Sequence, residues 1–256
     1  MENKGGNIMN FEQVIANRKG KVIYRDGNHL VKLFDETYSV ANVLNEALNQ
    51  ARIEETALNI PRLQEVTKID GKWAISMDFI EGKTLEQLIL ENPGKIDEYL
   101  NLFVDTQIDI HSKRSTLLRK LHDKMVDKID ETELDATVKY DLKSRLAGFE
   151  KHNKVLHGDF QLSNVIVDNS GKVFIVDWSH ATQGNASADV AMSYLLMKMD
   201  KKDDLAEKYL DLFCSKTNTD KHYVQTWVPI VAGSHLKKCK PENRAMLEGF
   251  INVVQY

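Results

Sequence analysis

The stretch HGDFQLSN, residues 157–164, places a histidine, a carboxylate and a side-chain amide close together between two apolar runs. Thirteen residues after Asn164, the apolar run VFIV ends in a second carboxylate, Asp177. In the pattern H-x-D-x-x-x-x-N, the Asp accepts a proton from a substrate hydroxyl and the Asn binds Mg²⁺ during phosphoryl transfer. Asp177 would add an ionised oxygen, a ligand that Mg²⁺ prefers. These residues predict Asp159 as a general base and Asn164 and Asp177 as magnesium ligands.

A polar loop closed by Asx turns is the simpler interpretation of an isolated Asp–Asn pair. Here the pair is followed by two apolar runs, NVIVD and KVFIVDW, which the turn Asn169-Ser170-Gly171 joins into a hairpin. Asp177 stands at the far end of that hairpin. A motif is more specific when the surrounding elements fit it, so this arrangement favours the magnesium site over the polar loop.

Lys32 is a further residue that could take part in chemistry. In HLVKLFD it shares a strand face with Leu30 and Phe34. A lysine on an apolar face is costly unless its charge is paired, and Glu46, fourteen residues later within a helical pattern, could reach back to it. A strand lysine paired with a helix glutamate orients nucleotide phosphates in kinases. The alternatives are an edge-strand lysine that deters aggregation and a solvated helix glutamate.

The elements around Lys32 are mostly strands. Residues 11–79 contain five β-type runs, of which the last two form a hairpin across the turn Asp70-Gly71. The runs are FEQVIAN, KVIYR, HLVKLFD, LQEVTKI and KWAISMDFI. Between the third and fourth runs, apolar residues recur at helical spacing in the stretch 37–59, and Pro61 closes it. This order predicts a small antiparallel sheet of five strands with one inserted helix.

From about residue 84 the periodicity becomes helical. Thr84 is a suitable N-cap for KTLEQLIL, amphipathic runs fill residues 97–150, and helical patterns return over 186–256. GKT at 82–84 resembles the end of a P-loop, but that motif needs a glycine where Met77 stands. We therefore predict an α+β chain with an N-terminal nucleotide-binding domain over residues 1–80 and a helical catalytic and substrate domain over residues 81–256.

Composition narrows the class of protein. The formal net charge of −4 leaves no basic footprint for nucleic-acid binding. No apolar run approaches the 18 residues of a membrane span, and MENKGGNIMN lacks a signal-peptide core, so a cytoplasmic protein is expected. Cys214 and Cys239 are too few for a disulfide framework or zinc site and are expected to be buried thiols. Composition gives no oligomeric state.

The order of these motifs resembles the aminoglycoside phosphotransferase family, a branch of the protein-kinase-like fold. The similarity runs from the turn at Gly20 to about Met197, and its strongest part is HGDFQLSNVIVDNSGKVFIVDWSHATQGNASADVA. The resemblance implies a two-lobed fold in which Asp159 is the catalytic base and Asn164 and Asp177 are the magnesium ligands. It also implies that Lys32 with Glu46 anchors the phosphates and that His157 and Asp189 support the catalytic loop. Gly20 would lie in the turn that covers the nucleotide, and Met77 through Ile80 would form the adenine connector through backbone groups of Asp78 and Ile80.

The implied reaction uses ATP and Mg²⁺, with ATP in a cleft between the lobes. Its acceptor is a hydroxyl of a small molecule: an aminoglycoside, choline or another amino alcohol, a sugar amine, or homoserine. Only eleven residues separate Asp177 from Asp189, too few for an activation segment that docks a peptide, so a protein substrate is disfavoured. A non-catalytic nucleotide-binding protein is the remaining alternative. His111, His122 and His152 are expected to be surface or packing residues.

Overall fold

The computed structural model describes residues 13–252. Phe11 and Glu12 of the predicted first strand, and the N-terminal stretch used to argue against a signal peptide, lie outside the described residues. Within the described range the strands are β1 Gln13–Arg18, β2 Lys21–Asp26, β3 His29–Phe34, β4 Leu63–Ile69, β5 Lys72–Asp78, β6 Gly82–Thr84, β7 Lys154–Leu156, β8 Val165–Asp168, β9 Val173–Ile175 and β10 Thr182–Gly184. The helices are α1 Val40–Glu54, α2 Leu85–Glu91, α3 Ile96–Ser112, α4 Leu121–Asp130, α5 Ala136–Gly148, α6 Ala186–Met199, α7 Asp203–Thr217, α8 Lys221–His235 and α9 Pro241–Ile251.

The chain forms two compact units. The first contains the described residues up to Lys83 together with Ile166–Ser179, and the second contains Thr84–Val165 together with the described residues from His180 onward.

The first unit is built on a five-stranded antiparallel sheet with the order β1-β2-β3-β5-β4. The prediction of five antiparallel strands with one helix after the third is confirmed. Hydrophobic alternation turns one sheet face toward α1, where a cluster of buried side chains forms from Phe34, Val43, Ala47, Ile75 and Met77.

Helix α1 begins at the N-cap Ser39, whose hydroxyl accepts the Asn42 N–H. Its buried face is partly polar, because Glu46, Asn49 and Gln50 lie on it beside apolar residues. The apolar residues that recur at four-residue spacing on the other side are nearly half exposed, with Val40 at 46%, Leu44 at 46% and Leu48 at 48%. Apolar spacing therefore predicted the helix correctly but did not identify which face is buried.

The hairpin of β8 and β9 also belongs to the first unit, and β8 pairs with β6 on its other side. Gly82 makes this pairing possible, since a Cβ there would lie 2.3 Å from the Val167 carbonyl oxygen. The GKT stretch is thus a strand, consistent with the exclusion of a P-loop.

The second unit is mainly helical. Thr84 caps α2 as predicted, in a capping box with Gln87. Helix α6 packs on α7 and α8, and α8 also contacts α4, α5 and α9. Strands β7 and β10 pair as a two-stranded antiparallel ribbon that the sequence did not predict, since three residues are too few to show a period.

Cys214 and Cys239 are free thiols, and both are half-buried where the sequence predicted buried thiols. None of the helices among residues 13–252 has the length and apolar character needed to cross a lipid bilayer.

Candidate active site

Lys32 lies on β3, the central strand of the five-stranded sheet, and is 5% exposed. Its ammonium is 2.6 Å from Glu46 Oε1 and 3.4 Å from Asp177 Oδ1. The edge-strand interpretation is wrong, because β3 has a paired neighbour on each side. The predicted pairing of Lys32 with Glu46 is confirmed.

The charge of Lys32 is retained in spite of its burial. Desolvation alone lowers the pKa of an ammonium. Here the negative charges of Asp177 and Glu46, with the hydrogen bonds that Lys32 donates to both, outweigh burial and hold the Lys32 pKa above its ordinary value. Lys32 is therefore a fixed positive charge at neutral pH, suited to hold an anionic group.

Lys21 is a second lysine at the same carboxylate, and sequence analysis did not find it. From the start of β2 its ammonium lies 3.2 Å from Glu46 Oε1 and 3.1 Å from Glu46 Oε2. It also stands over the Phe34 ring, 5.6 Å from the centroid. No local signal marks Lys21, since Glu46 is 25 residues away and comes close only when α1 packs on the sheet.

Gly20 forms the turn between β1 and β2 with a φ of +80°. Its carbonyl accepts the Asp35 N–H at 2.9 Å, and a Cβ at this position would come within 3.0 Å of the Tyr38 ring. Both the positive φ and the close ring favour glycine here.

The predicted connector begins within β5. Met77 is buried in the core cluster, and Ile80 is half-buried just after the strand. The Asp78 N–H is donated to the Arg62 carbonyl at 3.0 Å, and the Asp78 carboxylate accepts from Gln64 at 2.6 Å. The backbone N–H of Asp78 is therefore already paired within the first unit.

Asp177 follows β9 in a left-handed conformation with a φ of +64°. Asp tolerates that region better than most residues, yet the conformation still costs free energy. The carboxylate is 34% exposed, and one of its oxygens faces Lys32. Nearby, Asn49 of α1 donates to the Ser179 carbonyl at 3.3 Å, which ties the segment after Asp177 to the helix that carries Glu46.

The loop of residues 157–164 lies in the second unit, directly after β7. Gln161 donates to Asp159 Oδ1 at 2.6 Å. The Asn164 side-chain NH₂ donates to the Asp159 carbonyl at 2.8 Å, so its amide oxygen is the atom suited to a metal. A short 3₁₀ turn, Leu162–Asn164, completes the loop before β8.

Asp189 of α6 holds this loop through its backbone. Its carboxylate accepts the His157 N–H at 3.2 Å and the Gly158 N–H at 2.7 Å. The His157 Nδ1 in turn accepts the Asp159 N–H at 3.3 Å. Gly158 has a φ of +77°, and a Cβ there would lie 2.6 Å from the His180 carbonyl oxygen. The loop geometry thus depends on a buried carboxylate and on a glycine.

His111 of α3 is the third group on Asp189, with its Nε2 at 3.0 Å from Asp189 Oδ2. Burial by itself raises the Asp189 pKa, but the hydrogen bond and charge of His111, the charge of His157 and the Gly158 N–H together bring it below its ordinary value. His111 is buried, so it is not a surface residue, and sequence analysis missed its role as a partner of Asp189. A histidine in the last turn of an amphipathic helix is a weak signal, and Asp189 is 78 residues away.

The predicted site residues therefore form two groups. Lys32, Glu46 and Asp177 meet in the first unit, where the turn at Gly20 and the Met77–Ile80 segment also lie. The loop residues His157, Asp159 and Asn164 and their support Asp189 lie in the second unit.

Comparison with known proteins gives a family and a set of related structures. Residues 15–225 match the model of the APH phosphotransferase enzyme family. No curated protein matches the sequence significantly. A thermostable mutant of aminoglycoside phosphotransferase APH(4)-Ia in its apo form superposes with a TM-score of 0.69 at 14% identity, covering 93% of this chain and 91% of that one.

Two further solved structures have names that mention different small molecules. A choline/ethanolamine kinase family protein from Mesorhizobium loti has a TM-score of 0.60 at 14% identity, with 94% of this chain and 88% of that chain covered. Aminoglycoside phosphotransferase APH(3'')-Id from Streptomyces rimosus, in complex with ADP and streptomycin, has a TM-score of 0.62 at 15% identity, covering 83% and 90%. The predicted two-lobed kinase-like fold and the resemblance to this family are confirmed.

Proposed function

The chain belongs to the phosphotransferase enzyme family and is a small-molecule kinase, and on this premise we propose that it transfers the γ-phosphoryl group of ATP to a hydroxyl of a small acceptor. ATP as donor is supported by related structures that contain ADP or AMP-PNP. The proposal places the enzyme in the cytoplasm, where ATP is available, with no nucleic acid or membrane as partner.

The observation that carries the proposal is the environment of Lys32. A buried ammonium on a central strand is held between Glu46 and Asp177, and its pKa stays above the ordinary value. A fold gains little from a buried ion pair, because the desolvation of both charges offsets much of their attraction. Such a group is better explained by a role in binding phosphate oxygens.

In the proposed reaction Lys32, positioned by Glu46, binds the phosphates of the nucleotide. Asp159 accepts the proton of the acceptor hydroxyl while the hydroxyl oxygen forms a bond to the γ-phosphorus. The bond between that phosphorus and the ADP oxygen breaks in the same step. Asn164 and Asp177 would hold Mg²⁺, and the amide oxygen and carboxylate that they offer suit a hard cation. When bound, the metal supplies neutralisation of phosphate charge.

The remaining predicted residues position these groups. The turn at Gly20 would cover the phosphates, and the Met77–Ile80 segment would hold adenine through the backbone of Asp78 and Ile80. Asp189 and His157 keep the 157–164 loop in shape through backbone hydrogen bonds. Catalysis of phosphoryl transfer depends mainly on positioning and charge neutralisation, so the residues that hold the loop in shape contribute to the reaction rate as well.

The test is release of ADP from Mg·ATP in the presence of a panel of alcohols that includes aminoglycosides, choline, amino sugars and hydroxy amino acids. We expect acceptor-dependent ADP release that requires Mg²⁺ and is lost in Asp159→Asn. Binding of Mg·ATP without turnover for any alcohol across a broad panel would instead indicate the non-catalytic nucleotide-binding protein. Absence of nucleotide binding would contradict both.

A further inference from the structure

Two lysines of α4 face inward toward the 157–164 loop. Lys124 and Lys128 are four residues apart, so they lie on one face of the helix. Both are half-buried, and they line a small cavity whose other walls include Gly158, His180 and the buried Asp189. All of these residues belong to the second unit. The cavity thus adjoins the backbone immediately before Asp159.

The carboxylate charges that act on the two ammonium groups come from Asp189, Asp159 and Glu131, and none of them forms a salt bridge with either lysine. Lys124 donates to the His180 carbonyl at 2.7 Å. Within residues 13–252, no carboxylate lies within 4.0 Å of either ammonium, and Lys128 makes no side-chain hydrogen bond. The carboxylates of α4 point away from the cavity to other partners, in the pairs His122–Asp123, Arg119–Asp127 and Lys143–Asp130.

Neighbouring charges of both signs act on the two lysines. Burial, together with the charges of neighbouring cations, lowers the pKa of Lys124 to about 7 and that of Lys128 to about 8. Burial and the charges of Lys128 and Lys238 lower the pKa of His235, on α8, to about 4. Asp159 is near enough to Lys128 that its charge raises the Lys128 pKa and opposes part of this effect. The groups that act on the two lysines are Arg119, Lys238, Asp159, Glu131 and Asp189.

Charging both half-buried lysines at once is unfavourable, since each ammonium loses hydration and repels the other. Methionine or leucine at these positions would pack on the same neighbours without that cost. An anion in the cavity would offset the cost of burying the two charges, because each lysine would then gain a charge-assisted hydrogen bond. The cavity, at about 20 Å³, has room for one or two oxygen-sized groups and not for a ring.

We propose that the acceptor carries an anionic group, a carboxylate or a phosphate, which Lys124 and Lys128 bind while its hydroxyl meets Asp159. This inference rests on the proposed function, because it takes Asp159 as the base. The inference narrows the class of acceptor from any small alcohol to a hydroxy acid or a phosphorylated alcohol. The same two cations repel a polycation, so an aminoglycoside or choline is a poor acceptor.

Four acceptors that share a three-carbon diol scaffold test the proposal: glycerate, glycerol 3-phosphate, glycerol and 3-amino-1,2-propanediol. With saturating Mg·ATP at pH 7.5, we expect kcat/KM for one or both anions to exceed that for glycerol by about tenfold or more, as a charged hydrogen bond allows. The cationic diol should be the poorest acceptor. A preference for carboxylate over phosphate, or the reverse, identifies the anionic group.

Lys128→Met should remove most of the anion preference by raising KM for the anionic acceptor while KM for ATP is unchanged. Lys128→Glu should reverse it and favour the cationic diol. Lys208→Met is the matched control, because Lys208 lies on α7, is exposed and pairs with Asp97. If Lys128→Met raised KM for ATP and left the acceptor KM unchanged, the lysines would serve the nucleotide and the proposal would be overturned.

A binding measurement decides the question even where none of the four alcohols is turned over. With Mg·AMP-PNP saturating, inorganic phosphate should raise the Tm of the wild-type protein and of Lys208→Met, but not that of Lys128→Met. An equal Tm rise in Lys128→Met, or none in the wild type, would overturn the anion site. Failure of AMP-PNP itself to bind would count against the proposed function, so the two failures are distinguishable.

Discussion

The Lys32 ammonium lies 2.6 Å from Glu46 Oε1, where the central strand of the sheet meets α1. Both side chains are about 95% buried. In this setting each charge depends on its partners, and removal of one leaves Glu46 with Lys21 or Lys32 with Asp177 as the remaining contact. This relationship makes Lys32 and Glu46 the most direct subjects for mutation.

Lys32→Met should keep the fold, since methionine retains the aliphatic stem. We expect kcat/KM for ATP to fall about 10²- to 10³-fold, as for the loss of one preorganised charge. Glu46→Ala should cost less, because it loosens the lysine without deleting it. The double mutant should be clearly non-additive, as residues that act as one unit are. Simple additivity of the two effects on kcat/KM would mean that Glu46 does not position Lys32 for the nucleotide.

Lys21→Met should have a smaller effect than Lys32→Met. Glu46 would lose one of its two ammonium partners but retain the shorter contact with Lys32. We expect kcat/KM for ATP to fall by no more than about tenfold, because the contact of one such ion pair contributes about 1 kcal/mol. Lys68→Met, a change on β4 where the lysine stands over Trp73, is the control. A loss as large as that of Lys32→Met would show that Lys21 contacts the nucleotide itself.

Asp159→Asn should leave the fold and nucleotide binding intact, because Asn is isosteric and Asp189 still holds the loop backbone. Loss of a general base lowers kcat by roughly 10²- to 10⁴-fold. Single-turnover kinetics with the identified acceptor, alongside calorimetric titration of Mg·ATP, measures both quantities. Turnover near the wild-type rate would remove Asp159 from the mechanism.

Asp177→Ala should abolish productive binding of Mg·ATP, and Asn164→Ala should raise the Mg²⁺ concentration needed for half-maximal activity. Titrations with ATP in Mg²⁺ and in EDTA separate metal-dependent binding from contacts to the nucleotide alone. Asp123→Asn, on the exposed side of α4, is the control. Wild-type affinity for Mg·ATP in Asp177→Ala would overturn its assignment as a ligand.

Asp189 should make stability depend on acid pH. Because its folded-state pKa lies below the ordinary value of 3.8, it stabilises the protein fully above that value. The contribution is lost as pH falls below 3.8 through the lowered pKa. Asp189→Asn should cost about 1–3 kcal/mol near pH 7, since buried N–H donors lose a charged acceptor.

Denaturant unfolding of Asp189→Asn and the wild type between pH 7 and pH 3 tests this dependence. The gap between the two free energies of unfolding should narrow as pH falls below 3.8, whereas Asp97→Asn, an exposed control, should follow the wild type throughout. A constant gap across that range would show that Asp189 contributes by packing and not by charge.

Local patterns in the sequence were sufficient for most of the fold. Strand β4 was predicted with its observed bounds, and Thr84 caps α2 with the hydrogen bond that its type and position suggest. Turns, caps and strands depend on neighbours a few residues apart, so residue type and spacing carry the necessary information. The loop motif and Asp177 were found in the same way, because their order along the chain is part of the pattern.

Partnerships between distant residues were decided by the tertiary structure. Lys21 reaches Glu46 across 25 positions and His111 reaches Asp189 across 78, and neither pair leaves a local pattern. On α1 the buried face carries Glu46, Asn49 and Gln50, because the surrounding chain offers partners in Lys32, the Ser179 carbonyl and the Pro61 carbonyl. The sequence shows which residues can ionise or donate, but only packing determines which charge each one meets and how much water remains around it.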